Sequence, residues 1–476
     1  VFNPLMRKET FMQEAYHLEN NNGSINIVGV VFNEMKGAYS NPDSIAGEFA
    51  YRSLFPDNEY KYDSGGEPSA IPDLSYEEFV EFHKKYYHPS NCKIFLYGNI
   101  STERHLDFLE KNFLSEFAMQ KNNITIKNQK RWSKPINLEK TYPVKETAGG
   151  AAKDGRGFKN KTTVLINWLT VSATDPYKVL IMEVLEEILI GNAGSPLRKA
   201  LVESRLGEDL SPVSGLESEI KELVFSVGLR GTDPDKAEEI EELIFKILNE
   251  ISNIGIDKTI INAAMHSVEF NNREIRGGGS PYALRLMRKA LRGWLHGREP
   301  DSTLIFNPYI EKLKKKVNED NHFFEKIISE LLLENTHRSR LVVRPDKRDL
   351  ISEDINKKVR KIEKKLSESD LARLEEKNRI LREYLAKPDA PEAIGKLPVL
   401  KLKDVPSKVQ IIPCDTADLK DRVKYYFHNI YTNGIVYVDI AVDVSDLPEE
   451  IAIYLPVFGR AVCRSGIEAI SYSDMA

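Results

Sequence analysis

The stretch Gly29-Val30-Val31-Phe32-Asn33-Glu34-Met35-Lys36-Gly37 sets one carboxylate, Glu34, into an otherwise apolar helical segment. Taken bare, a Glu beside a Lys on an amphipathic helix is a solvated surface group, since charged side chains are seldom buried without a partner. Three words further along change that reading: Phe55-Pro56-Asp57, Asp63-Ser64-Gly65-Gly66-Glu67-Pro68 and Phe82-His83-Lys84-Lys85-Tyr86-Tyr87-His88-Pro89-Ser90-Asn91.

Together these words resemble the presequence-protease branch of the pitrilysin (insulinase) zinc metallopeptidases, and the resemblance covers nearly the whole chain. It implies that Glu34 is the third protein ligand of a catalytic zinc. Enzymes of this type carry an inverted motif, H-x-x-E-H, roughly a hundred residues before that Glu, in which two His bind the metal and the Glu handles the protons of the attacking water. Only thirty-three residues precede Glu34 here. None of the nine His, at 17, 83, 88, 105, 266, 296, 322, 337 and 428, falls in H-x-x-E-H or H-E-x-x-H. The chain therefore reads as an internal piece of a zinc peptidase, with no catalytic residue of its own and Glu34 as its one metal ligand.

At 476 residues the chain exceeds one core, and a prior of roughly 100 to 200 residues per domain gives about three. Its 41% hydrophobic and 29% charged residues are ordinary for a globular protein. A net charge of -5, with the densest cationic run (Lys312 to Lys316) on a helical pattern, gives no basis for nucleic-acid binding. No apolar run approaches the roughly eighteen residues of a membrane-spanning helix, so no membrane partner is expected. Cys92, Cys414 and Cys463 are scattered, odd in number and free of C-x-x-C spacing, which indicates neither a disulfide framework nor a thiolate metal site. No signal or transit segment stands at the front, and both ends read as cuts.

Along the chain, Phe2 to Glu19 is patterned as helix, and a helix carrying Glu34 is predicted from about Val28 to Tyr39. Another begins near Pro42-Asp43-Ser44 and ends at Phe55-Pro56-Asp57. Ser75 with Glu78 three residues on predicts a capping box for a helix to Tyr87, where Pro89 stops it. Lys93 to Asn99 is predicted as strand, and Thr102 to Phe117 as helix. Residues 121–157 read as a linker whose Gly149-Gly150 and Gly155 lack the G-x-x-x-x-G-K-[ST] pattern of a phosphate loop. Thr162 to Leu169 and Leu223 to Leu229 are strands, Tyr177 to Ile190 and Asp235 to Ile251 helices, and Arg340 to Asp346 a closing strand. Ile351, Ile355, Val359, Ile362 and Leu366, then Leu371, Leu374, Ile380, Leu381 and Leu385, form two stripes joined at Ser367-Glu368-Ser369-Asp370, which is a helical hairpin. The strand-then-helix pattern at Thr163 to Pro176 recurs at Gly434 to Pro448, which points to one fold used repeatedly.

The expected fold class is α+β: tandem related domains, each a mainly antiparallel sheet with helices packed on it, plus the hairpin linker. The boundaries are 1–128 for the rear of a first, catalytic-type domain, 129–346 for a second, 347–400 for the hairpin and 401–476 for the opening of a third.

His17 is read as structural. His83 and His88 are read likewise, because a five-residue spacing swings two side chains about 140° apart on a helix and Pro89 pulls His88 from helical geometry. Zinc in a hydrolase takes three protein ligands and a water, and one carboxylate cannot hold it, so this chain alone is expected to retain no stoichiometric zinc and to cut no peptide. The resemblance implies a whole protein that is a monomeric clamshell, enclosing short unstructured peptides such as cleaved targeting presequences, in an organelle matrix or the cytoplasm. It places further site residues, an Arg and a Tyr, beyond Ala476. The alternative is a scaffold subunit that keeps the superfamily fold without the metal.

Overall fold

The structure, a computed structural model, describes residues 1–21, 23–121, 124–144, 160–275, 279–409, 411–418, 423–462 and 464–475. The first helix, α1 (Lys8–Glu14), is shorter than its apolar pattern predicts. His17 instead opens β1 (His17–Asn21), which pairs antiparallel with β2 (Ser24–Val28), His17 opposite Val28. The strand wins over helix because β2 alternates, burying Ile25 and Ile27 while its polar residues face out.

Gly29 allows α2 (Val30–Ala38) to start immediately, since a Cβ there would lie 2.2 Å from the Ala15 carbonyl oxygen. For α3 (Pro42–Arg52) the Asn41 side chain accepts from the Asp43 and Ser44 N–H groups at 2.9 and 3.1 Å, satisfying donors that the first turn leaves open. The predicted capping box of Ser75 and Glu78 starts α4 (Tyr76–Tyr86), and Ser101 caps α5 (Thr102–Asn112).

Two expectations fail between residues 93 and 143. Lys93 to Asn99 forms no strand: no described strand lies beside it to take its backbone hydrogen bonds, and Leu96 and Tyr97 stay exposed. The segment read as linker runs into β3 (Ile136–Pro143), which pairs parallel with the last strand of the main sheet. The Gly-rich part at 147–155 lies outside the described residues.

The main sheet follows with β4 (Thr162–Ser172), then α6 (Pro176–Ile190), α7 (Pro196–Glu203), the short strands β5 (Asp209–Leu210) and β6 (Gly215–Glu217), and β7 (Glu222–Thr232). Helices α8 (Ala237–Ile254), α9 (Lys258–Arg273), α10 (Tyr282–Trp294), α11 (Asn307–Glu319) and α12 (Phe323–Ile328) lead to β8 (Arg338–Asp346). The sheet runs β3-β8-β4-β7-β5, with β6 beside β5 along the outer edge of β7. Only β3 and β8 are parallel; the other pairings are antiparallel. The predicted hairpin is α13 (Leu350–Glu363) and α14 (Glu368–Ala386), the latter capped by Ser367 with Asp370. Beyond it β9 (Asp415–Asp418) pairs antiparallel with β10 (Lys424–Phe427). The strand predicted at Gly434 to Val444 does not form, again with no described strand beside it.

Burial on both faces explains why β4 reads as a continuous apolar run. Val164, Ile166 and Trp168 join a core made with α6, α8, α9, α11 and α12. Leu165 faces the other way, onto Ile45, Ala46 and Ala50 of α3, with Leu341 and Val343 of β8. The segment around α2 has its own core, in which Ile25, Ile27 and Phe32 pack on Ile355 and Val359 of the hairpin. The architecture is α+β, as expected.

His337 pins the segment just after α3 to the sheet. It is buried and stacked on Trp132 at 3.9 Å. Its Nε2 donates to the Leu54 carbonyl at 2.8 Å, while Nδ1 accepts the Trp132 N–H at 3.1 Å, an arrangement that needs the neutral ring. Burial depresses its pKa to about 4. The unfolded chain takes up the proton below about 6.5, so the contribution is complete above that pH and is lost as pH falls toward 4. Unfolding free energies from urea titrations are expected to drop between pH 7 and pH 4.5, by on the order of 3 kcal/mol at the acid end. His337→Gln should flatten that part of the profile; an unchanged slope would assign it to other groups.

Candidate metal-ligand site

Glu34 lies on the exposed side of α2, opposite Phe32, which is 2% exposed. Its carboxylate makes no hydrogen bond or ion pair with the described residues. The same side carries Val30, an apolar residue 41% exposed, Asn33, and Gly37, whose missing side chain would meet nothing within 4 Å. One acidic group thus stands on the exposed side of α2 without an ion-pair partner among the described residues.

The buried side of α2 is held rigidly. Met35 packs against Gly65, where an added Cβ would come 2.3 Å from the Met35 Sδ, so any larger residue would make Met35 move. Gly66 takes φ +90, a left-handed conformation that favours Gly. The Asp63 to Glu67 loop is in turn tied to Arg52 of α3. That buried guanidinium donates to Glu67 Oε1 at 3.0 Å, to the Tyr39 hydroxyl at 2.9 Å and to the Lys61 carbonyl at 2.8 Å. It also lies over the Phe49 ring at 4.8 Å, and the Tyr39 hydroxyl donates in turn to Asp63 at 3.0 Å. Burial raises the Tyr39 pKa, so the hydroxyl stays a donor.

The histidines are not brought to Glu34 as ligands. His17 is engaged through Nδ1 with the Met12 carbonyl at 2.8 Å and Nε2 with Glu19 at 3.4 Å. His83 donates to the Val1 carbonyl and stacks on Tyr87, whereas His88 Nδ1 accepts the Ser90 N–H as a cap. Among the described residues no group of three or more His, Cys, Asp or Glu is placed to hold a metal ion. The residues present therefore do not complete a zinc site; Glu34 fits it as a single oxygen donor.

A second polar site went unread in the sequence. Between α6, α9 and α10 lies a crevice of about 260 Å³ lined by Glu183, Glu186, Glu187, Asn272, Arg285 and Lys289, among others. The signal was there: three Glu interrupt Met182-Glu183-Val184-Leu185-Glu186-Glu187-Ile188, an otherwise apolar helix.

Comparison with known proteins bears on the whole chain. Residues 73–268 match the family described as "Peptidase M16 inactive domain", and residues 343–476 match the associated region of the C branch of the same peptidases. The chain is 35% identical over 474 residues to presequence protease 1, chloroplastic/mitochondrial, of Arabidopsis thaliana, covering 98% of this chain and 43% of that protein. It is 30% identical over 487 residues to the mitochondrial presequence protease of Xenopus laevis, covering 100% and 46%. It spans less than half the length of these relatives. In fold it is similar to a protease from Helicobacter pylori, with a TM-score of 0.51 at 16% identity over 66% of this chain and 70% of that one.

Proposed function

Since the chain belongs to the M16 (pitrilysin/insulinase) peptidase family, we propose that it is the internal part of a zinc-dependent endopeptidase that degrades short unstructured peptides such as cleaved targeting presequences. The observation that carries this is the free carboxylate of Glu34, exposed on a helix whose other side is firmly braced. An exposed carboxylate without a cation among the described residues, beside Val30, Asn33 and Gly37, is what one ligand of an incomplete metal site presents. When bound, zinc in such enzymes polarises a carbonyl and lowers the pKa of its water toward neutrality. This chain's own part is to hold Glu34 in place through Met35, the Asp63 to Glu67 loop and Arg52. Relatives named presequence proteases support the substrate class. No described helix is long and apolar enough to cross a membrane. We place the whole protein as a monomer in an organelle matrix or the cytoplasm, with peptide substrates and no nucleic-acid partner.

The scaffold reading draws on the match of residues 73–268 to an inactive peptidase domain. Metal content separates the two. Elemental analysis of this chain should find no stoichiometric zinc, and a quenched fluorescent peptide should remain uncut. In the longer polypeptide that bears H-x-x-E-H, zinc should be stoichiometric, and Glu34→Gln should lower kcat/KM roughly a hundredfold or more. A longer polypeptide without that motif and without zinc establishes the scaffold instead.

A further inference from the structure

A cleft of about 520 Å³ lies between α3 and the edge of the main sheet where β6 runs along β7. Small residues hollow it out. Gly47 of α3, given a Cβ, would meet only the Val213 Cγ2 at 3.9 Å, and Ala50 stands one turn further on. Val224 and Ser226 form the floor: Val224 packs with Leu54 and Phe55, and alternation along β7 turns Ser226 to the same face. Ser226 is 4% exposed, and its hydroxyl makes no hydrogen bond with the described residues. A buried hydroxyl left unpaired costs free energy that a bound partner would offset.

Glu186 reaches the same cleft from α6, past the edge strand β6. Its Oε1 accepts the Leu216 N–H at 3.0 Å and lies 2.8 Å from where a Gly215 Cβ would stand. Gly215 is directly opposite Ser226 in the ladder, and opposed side-chain positions are about 5 Å apart, so the carboxylate lies within about 8 Å of the Ser226 Cβ. A primary ammonium, with three donors, reaches both. No Lys, Arg or His lines the cleft, and none of the described residues forms an ion pair with Glu186. The charged groups around it are Glu183 and Glu187 on α6 and Glu217 on β6, while Tyr51 on α3 donates to Glu48 at 3.0 Å. Arg285 and Lys289 of α10 line the crevice on its other side, neither within ion-pair distance. Burial raises the Glu186 carboxyl pKa to about 7 against the Leu216 N–H, which lowers it, and Glu183 and Glu187 add repulsion.

We propose that this cleft binds a small primary amine with a compact apolar body, its ammonium between the Glu186 carboxylate and the Ser226 hydroxyl and its carbon skeleton over Ala50, Val213 and Val224. The volume lies in the range of roughly 300 to 1,000 Å³ usual for small-molecule pockets. Near pH 7 the empty site carries a partly protonated carboxyl; an ammonium beside it favours the charged form, so binding releases a proton. The proposal does not rest on the metal reading of Glu34.

Calorimetric titration of the whole chain at pH 7 with phenethylamine and with butylamine tests it, each against the alcohol and the carboxylate of the same skeleton. Saturable binding of at least one amine is expected, with its alcohol and carboxylate at least tenfold weaker, and buffers of different ionisation enthalpy should show proton release. Glu186→Gln and Gly47→Leu, which fills the cleft from a helix that tolerates Leu, should each weaken the amine at least tenfold with an unchanged circular dichroism spectrum. Ser226→Ala should weaken it about fivefold, on the order of one hydrogen bond. Absence of saturable binding, equal binding of alcohol or carboxylate, binding without proton release, or wild-type affinity in the folded Glu186→Gln or Gly47→Leu chain would overturn the proposal. If a variant fails to fold, the ligand series and the proton release of the wild-type chain decide.

Discussion

Arg52→Met is expected to destabilise the chain by about 3 kcal/mol, at the lower end of what removing one partner of a buried ion pair costs. Arg52 is only 8% exposed. Its loss removes the donor of the Lys61 carbonyl and one partner of the Tyr39 hydroxyl, and leaves the buried Asp63 carboxylate, 4.0 Å from the guanidinium, without its counter-charge. Met restores the apolar contact with Phe49 but none of the hydrogen bonds. Arg52→Lys should recover little, because a point charge cannot reach three acceptors that a planar fork reaches together. The functional reading adds a second readout: hydrogen exchange at Asp63 to Glu67 and along α2 should accelerate, since this loop is what Met35 rests against. An unfolding free energy within about 0.5 kcal/mol of wild type, on the order of a neutral surface change, would show the network to be dispensable.

Trp168→Ala should cost more, about 3 to 5 kcal/mol, the range for emptying a large aromatic from a core. The indole is fully buried in β4, 5.9 Å from the Phe225 ring, and its Nε1 donates to the Leu332 carbonyl at 2.9 Å. Trp168→Phe separates the two contributions, because it keeps most of the volume and loses the hydrogen bond, for which about 1 kcal/mol is expected. Denaturant unfolding of the two variants side by side provides the measurement. Equal losses would mean that the hydrogen bond, not the packing, dominates.

What could be read in advance follows from how local each signal is. Ser75 and Glu78 start α4 through atoms three residues apart, and the two stripes of the hairpin repeat within single helices, so their sequences suffice. The pattern at Lys93 to Asn99 is equally strand-like, yet a strand exists only through its neighbour, and none of the described strands lies there. The converse holds for β3: its neighbour, β8, lies 203 positions on, as the pairing of Ile136 with Ser339 shows, too distant for any local pattern to announce. Glu34 itself was legible only through resemblance. The chemistry proposed for it needs ligands from elsewhere, and the nine residues from Gly29 to Gly37 describe an ordinary amphipathic helix. Arg52 was invisible for the same reason, since its role depends on which distant groups meet.

The position of β8 has a consequence for biosynthesis. It is the last strand of its sheet to be made and yet lies second from the edge, wedged between β3 and β4. β4 can pair with β7 earlier, but a ribosome must release residue 346 before β3 finds its partner or the other edge of β4 is covered, so while α8 to α12 emerge these edges stay open to any passing chain. Sheet closure in the nascent protein is therefore an insertion event that comes late, and the interval before it is when a holdase chaperone matters most.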